Sequence, residues 1–210
     1  MDINKEVDVV IQKFKGLKYD TSDGTIYGEI FIDEYDSYEV KIDVSEYPKM
    51  FPVVFELGGR IPKKAHRHVY TDSGSCCFTT GARAQILLKT KISSLYLFVK
   101  EILVKYLENN SYYELNGKYF NGEYSHNSEG ILEGYEDILG IKDINAIGRL
   151  VVSRINGGKL KIRDLCYCDS GITLKKCTGG LHDLNYRNFK MIDKGMLSYD
   201  LEHLKNVYNN

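Results

Sequence analysis

The chain has 210 residues, a formal net charge of −1 and 43% hydrophobic residues, which suits one ordinary domain with a small appendage or a single larger domain. A chain of this length can bury a core without disulfide support. The near-neutral charge argues against nucleic-acid affinity, which needs a clustered basic surface. Neither a signal-type apolar region nor an apolar run of ~18 residues is present. We therefore expect a soluble, cytoplasmic protein with no nucleic-acid or membrane partner.

The first predicted elements are one helix and three strands. Apolar residues recur at helical spacing over residues 3–17, and Gly16 with the run 20–24 ends this helix. Period-two alternation then predicts three strands, Thr25–Ile32, Ser37–Val44 and Val53–Leu57. Because their connections are short, we expect an antiparallel meander with one buried face.

The middle of the chain contains a second predicted helix. Residues 79–90 show no period and are predicted to be irregular. An apolar stripe predicts a helix over residues 92–107, which the pair Asn109 and Asn110 ends.

The rest of the chain is predicted to be an ordered extension of the first domain and then a small helical region. Residues 111–140 are rich in Tyr, Gly, Asn and Glu, and their aromatic content predicts an ordered extension that wraps the domain. Apolar spacing predicts a further helix over residues 143–155. Three of the five cysteines lie in the 55 residues that follow.

Residues 47–78 contain the candidate catalytic residues of the chain. A Tyr-Pro turn leads into an apolar strand, a histidine-rich loop follows, and Gly74 precedes the adjacent cysteines Cys76 and Cys77. In a reducing compartment, five cysteines favour catalysis or metal binding over disulfides. A cysteine in a polar loop after a strand is a candidate nucleophile.

This segment resembles the ubiquitin-conjugating enzymes. The family carries Tyr-Pro-x-x-Pro-Pro-x-Val, then His-Pro-Asn, then Gly-x-Ile-Cys-Leu. The matching residues here are Tyr47, Pro48, Pro52 and Val54, then His66-Arg67-His68-Val69, then Gly74-Ser75-Cys76-Cys77-Phe78. The resemblance implies an α+β fold, with an antiparallel sheet flanked by helices, over residues 1–140.

The resemblance also implies roles for these residues. Cys77 occupies the catalytic position and would accept a ubiquitin-like protein, or another protein C-terminus, as a thioester. Cys76 occupies the position of the isoleucine in the family's Gly-x-Ile-Cys-Leu motif, and we expect it to be packed. His68 takes the family's asparagine position and would help stabilise an oxyanion while an amine on the target attacks; it could instead act as a base. His66 is more often an anchor of the loop in this family.

Residues 122–140 resemble the prokaryotic branch of the family more specifically. That branch implies bacterial anti-phage defence, with an activating enzyme, a ubiquitin-like protein and a protein target as partners. His126 lies in this stretch, and either a surface turn or a place near the active site is open to it. Two rival functions also remain open: an inactive adaptor module that binds ubiquitin-like proteins, and a thiol hydrolase.

Residues 166–182 form a second candidate site, with Cys166, Cys168, Cys177 and His182 spaced as C-x-C-x8-C followed by a histidine. Three thiolates and an imidazole suit tetrahedral zinc. The stretch resembles the zinc motif at the C-terminus of the SecA translocation ATPase, although Thr178 fills the usual fourth position and His182 is our substitute. We expect a structural zinc in a C-terminal region over residues 141–210. The alternative is three free thiols without a metal.

Overall fold

The chain divides into two units in a computed structural model that describes residues 2–120 and 125–209. The first unit contains the described residues 2–79 and 87–120, and the second contains 80–86 and 125–209. The second unit therefore takes in residues 125–140, which the sequence analysis assigned to the first domain. Each unit has its own buried cluster of apolar side chains.

The first unit begins with one helix and a four-stranded sheet. Asp2 caps helix α1 by accepting a hydrogen bond from the Asn4 backbone at 3.2 Å. The sheet is antiparallel with strand order β1-β2-β3-β4, so the predicted α+β class and meander are confirmed. The elements are α1 (Ile3–Lys13), β1 (Leu17–Asp20), β2 (Thr25–Phe31), β3 (Ser37–Asp43) and β4 (Val53–Glu56).

Strand β1 was not predicted from the sequence. It pairs with β2 at a point where Gly16 and Gly28 approach closely: a side chain on Gly28 would lie 2.2 Å from the Gly16 carbonyl oxygen. Gly28 also has φ +129°, which other residues rarely adopt. Helix α1 therefore ends earlier than the predicted residue 17: its last residue is Lys13, and Leu17 begins β1 because the chain at Gly16 already pairs with β2.

The register of the sheet explains its buried face. Ile26 lies opposite Ile42, which in turn lies opposite Val54, and all three are fully buried. Their alternation with exposed neighbours is the pattern that a sheet with one covered face requires.

The helices after β4 differ from the prediction. Residues predicted to be irregular form helix α2, and the helix predicted over 92–107 continues beyond Asn110 to residue 116. The helical segments of this stretch are α2 (Gly81–Thr90), α3 (Leu95–Phe98), a π-helical turn (Val99–Leu103) and α4 (Val104–Asn116). Asn110 does not end the helix because its side-chain amide is bound inside the unit, donating to the Tyr106 carbonyl at 3.0 Å.

The described part of the second unit is helical. Asp143 and Asp193 cap α6 and α8 by accepting from the backbones of Asn145 and Met196 at 2.9 and 2.8 Å. The elements are α5 (Asn127–Leu139), α6 (Ile144–Ile155), α7 (Leu181–Phe189) and α8 (Lys194–Tyr208). The helix predicted over 143–155 is confirmed. The predicted extension is in part helix α5, while residues 121–124 lie outside the described residues.

Helix α2 contributes its first turns to this unit through Gln85. The Gln85 side chain donates to the Asp193 carboxylate at 2.5 Å and accepts from the Asp193 backbone at 2.9 Å. This pairing holds the start of α8, and it depends on residues more than one hundred positions apart.

Shortening a side chain on the buried face of the sheet is expected to destabilise the first unit. Ile42→Ala should lower the free energy of unfolding by about 2–5 kcal/mol, because a fully buried isoleucine leaves a cavity. Glu39→Ala, on the exposed face of the same strand, should change it by less than about 0.5 kcal/mol. Urea unfolding followed by circular dichroism measures both, and equal losses would contradict the assigned faces.

Candidate functional site

The two adjacent cysteines lie on a loop between β4 and α2. A 3₁₀ turn over Ala65–Arg67 leads into His68, whose backbone is left-handed (φ 51°, ψ 47°). The chain then reverses, so that Val69 pairs with Cys76 in an isolated antiparallel bridge. Gly74 makes the reversal at φ +79°, a left-handed conformation that glycine adopts without strain.

Cys76 and Cys77 have different environments. The Cys76 backbone donates to the Val54 carbonyl at 2.8 Å, and the residue is 6% exposed within the core of the first unit. Successive residues of an extended segment point to opposite faces, and Cys77 is half-buried. The packing role predicted for Cys76 is thus confirmed. Phe78 anchors the end of the segment, with its ring 5.5 Å from that of Phe98.

The pKa of each thiol is raised above that of an ordinary cysteine. Burial raises the pKa of Cys76 to about 11, against an opposing hydrogen bond from Tyr106. Burial also raises the pKa of Cys77, against an opposing hydrogen bond from Tyr70. A nucleophilic Cys77 would therefore have to lose its proton as it reacts.

The histidine loop lies beside Cys77. The Cys77 backbone donates to the His68 carbonyl at 2.8 Å, so the antiparallel register sets His68 opposite Cys77. The His68 imidazole packs against the Tyr119 ring, with centroids 5.0 Å apart. His66 is exposed, and its carbonyl accepts from the Tyr119 hydroxyl at 3.3 Å. His126 belongs to the second unit, where it precedes α5 as the N-cap residue.

Sequence reasoning missed the contribution of Tyr106 to this loop. It was counted as one apolar residue in a helical stripe, yet its hydroxyl donates to the His68 carbonyl at 2.9 Å. Helical spacing shows which face of a helix is buried, but it does not show which loop that face meets. No signal in the sequence identifies this contact.

The predicted metal ligands lie together in the second unit. The ligand atoms of Cys166, Cys168, Cys177 and His182 are all within 4.8 Å of one another, so these residues could bind a metal. The Nδ1 atom of His182 lies 3.2 Å from the Cys166 sulfur and 3.3 Å from the Cys177 sulfur. The sulfurs of Cys168 and Cys177 are 3.5 Å apart.

A short hairpin-like reversal creates this cluster. The Cys166 backbone donates to the Ile172 carbonyl at 2.9 Å, and the Cys177 backbone donates to the Thr173 carbonyl at 3.0 Å. Asp169 and Gly171 both adopt positive φ between the two arms. Local chain reversal therefore delivers the three thiols, as the C-x-C-x8-C spacing predicted.

Helix α7 supplies the imidazole. His182 is 4% exposed in the first turn of α7, and its ring stacks on that of Tyr167 at 5.0 Å. The Tyr167 hydroxyl donates to the Leu139 carbonyl at 2.7 Å and lies 3.3 Å from the His182 carbonyl. These contacts fix the ring with Nδ1 towards the thiols.

The pKa values of Cys166 and Cys168 are shifted in opposite directions. Burial, reinforced by the neighbouring thiols, raises the pKa of Cys166. Burial has the same tendency at Cys168, but hydrogen bonds from Ser170 and from the other thiols outweigh it and lower the pKa of that group. Because its pKa is lowered, Cys168 forms a thiolate readily, and the thiolate is the form of cysteine that binds metal ions.

Comparison with known proteins identifies no relative: no family model, no curated protein and no solved structure matches the chain. Among the described residues, no helix is both long and apolar enough to cross a membrane. Function therefore has to be inferred from the chemistry of the two sites.

The two adjacent thiols are expected to react with iodoacetamide in a fixed order. Cys77 should react first because Cys76 is buried. Since its pKa is raised, its labelling rate should climb with pH through a midpoint above the ~8.5 of an ordinary cysteine. Peptide mass spectrometry measures the rates. Cys77→Ser is the control, because any label left on the shared peptide reports Cys76. A plateau below pH 8, or strong labelling of Cys77→Ser, would contradict this order.

Proposed function

We propose that the chain is a ubiquitin-conjugating-like acyl carrier. It would take a ubiquitin-like protein, or another protein C-terminus, from an activating enzyme as a thioester on Cys77, and pass it to an amine of a protein target. The order of elements supports this function: a helix, an antiparallel meander, a histidine loop, the cysteine segment and further helices follow one another as the resemblance implies.

The observation that carries the proposal is the opposite placement of two neighbouring thiols. Cys76 is in the core, whereas Cys77 is only half-buried on a segment held by backbone hydrogen bonds on both sides. A half-buried thiol on a fixed segment, paired through the backbone with a histidine residue, is suited to acyl transfer.

The chemistry needs no dedicated strong base. As Cys77 attacks the incoming thioester, its new S–C bond forms, the old C–S bond breaks, and the departing thiolate takes up a proton. An attacking amine then forms a tetrahedral oxyanion, which collapses to an amide and returns a thiol to Cys77. The raised pKa of Cys77 is compatible with this exchange because the acyl donor is already activated.

His68 would assist the second step. Its imidazole can donate one hydrogen bond to the oxyanion, and losing one such donor typically costs about 3 kcal/mol, or about a hundredfold in rate. The register that sets His68 opposite Cys77 supports this role.

Loading of Cys77 can be tested without identifying the natural partner, by offering a short peptide as its C-terminal alkyl thioester. The wild-type chain and Cys76→Ala should each gain the mass of one peptidyl group, whereas Cys77→Ala should gain none. The adduct should be released by excess thiol, while a Cys77→Lys variant should retain it as a stable amide. Intact-mass spectrometry measures each outcome.

The matched alanine variants make this test decisive. Loading of Cys77→Ala but not of Cys76→Ala would show that the nucleophile is the other cysteine. Absence of an adduct on every chain would contradict the enzymatic proposal and favour a binding module.

We further propose that the metal of the second unit is zinc with a structural role. Zinc–sulfur bonds of ~2.3 Å and zinc–nitrogen bonds of ~2.0 Å, at tetrahedral angles, place ligand atoms ~3.5–3.8 Å apart. The observed separations of 3.2, 3.3 and 3.5 Å approach these values. Four protein ligands complete a tetrahedral shell and leave no open position for substrate. The ion would fasten α7 to the hairpin.

Zinc content is expected to follow the four ligands. The purified chain should contain one zinc per molecule by elemental analysis, and Cys168→Ser or His182→Ala should lower that content strongly. A chelator should reduce helical circular dichroism, because binding energy contributes to folding at such sites. Cys77→Ser is the control and should keep its zinc. Full zinc content in both ligand variants would contradict the assignment.

A further inference from the structure

Arg67 is a buried cation beside the candidate active site of the first unit. It is 7% exposed, and no ion pair forms with it among the residues that the structure describes. Its Nη2 donates to the Asn110 side-chain oxygen at 3.0 Å, and its guanidinium lies 4.4 Å from the centre of the Tyr113 ring. Its Nε has no hydrogen-bond partner in the described part of the chain. Burying a charge in this way is unfavourable, so packing alone does not explain the choice of arginine.

The partners of Arg67 belong to a polar network on α4 and the segment after it. Asn110 is fully buried, and its oxygen lies 3.5 Å from the Tyr119 hydroxyl, which is also 3.3 Å from the His66 carbonyl. The Tyr119 ring is 4.7 Å from the Tyr113 ring and 5.0 Å from the His68 imidazole. Arg67, Asn110, Tyr113 and Tyr119 thus form a continuous set of contacts that ends on His68.

The same network holds the backbone of the loop. The carbonyls of residues 66, 67 and 68 each have a tyrosine hydroxyl within 3.4 Å, from Tyr119 at the first and Tyr106 at the other two. The last of these carbonyls also accepts from the Cys77 backbone. A residue held in a left-handed conformation, as His68 is, persists when its surroundings fix it.

We propose that Arg67 is a positioning residue, which acts through Asn110 and Tyr119 to hold the imidazole of His68, the residue that the register sets opposite Cys77. This inference rests on the proposed function, because the imidazole matters when an amine attacks the Cys77 thioester. Loading of Cys77 does not use His68, so the two steps should respond differently to changes at Arg67.

The test compares two arginines that each stack on a tyrosine. Arg67→Met keeps the length of the side chain and removes the network contacts. Arg60→Met is the matched control, since Arg60 lies 3.9 Å over the Tyr38 ring but pairs with the carboxylates of Asp36 and Glu114. With the peptide thioester, Arg67→Met should load within a few-fold of wild type, and release of the peptide by added lysine should slow roughly 10- to 100-fold. Arg60→Met should change the two steps equally.

Two further variants separate positioning from folding. Arg67→Lys keeps the charge but lacks the planar guanidinium group with its fixed N–H donors. Transfer of the peptide to lysine should therefore stay slow in this variant. Asn110→Leu conserves the side-chain volume and should reproduce the slow transfer of Arg67→Met, which gives a second route if that variant folds poorly. Equal slowing of loading and transfer in the Arg67 and Asn110 variants, with lower thermal stability, would overturn the inference and leave a structural role.

An independent readout requires no acyl transfer. The NMR resonances of the His68 ring, and their shift with pH, should change in Arg67→Met and remain as in wild type in Arg60→Met. If the wild-type chain does not load at all, the proposed function fails, but this measurement still decides whether Arg67 positions His68. Unchanged His68 resonances in Arg67→Met would overturn the inference on their own.

Discussion

Two backbone hydrogen bonds from adjacent residues determine the geometry of the first site. Cys76 donates to Val54 on strand β4, and Cys77 donates to His68 on the preceding arm of the loop. Held from both sides, the segment stays extended, and its neighbouring thiols point to opposite faces. One thiol joins the core, and the other remains half-buried beside a histidine. The different exposure of the two thiols and the proposed role of Cys77 follow from this arrangement.

The second site follows from more local constraints. Its three thiols come from one chain reversal of a dozen residues, and its imidazole comes from the first turn of the helix that follows. Stacking of Tyr167 on His182 fixes the orientation of the imidazole ring. A site assembled from neighbouring residues in this way can organise a small helical unit around itself, which is the usual contribution of a structural metal.

The sequence predicted what depends on periodicity and spacing. Helices α1 and α6, strands β2 to β4 and the grouping of the four metal ligands all follow from local patterns. The sequence did not predict the features that depend on contacts between distant residues. Helix α2 has no clear apolar stripe, and its Gln85 pairs with Asp193 far along the chain. Asn110 resembles a helix end in isolation, yet Arg67 binds its oxygen and the helix continues. The arginine network was not predicted for the same reason, because Arg67 is more than forty residues from its partner Asn110.

Transfer from a loaded wild-type chain tests most directly the proposal that Cys77 passes an acyl group to an amine. The chain is loaded with peptide thioester, freed of excess reagent, and incubated with and without lysine at equal pH. We expect peptidyl-lysine to form and the Cys77 adduct to disappear much faster when lysine is present. Release of free peptide at the same rate in both samples would contradict the proposal, since it would identify a hydrolase.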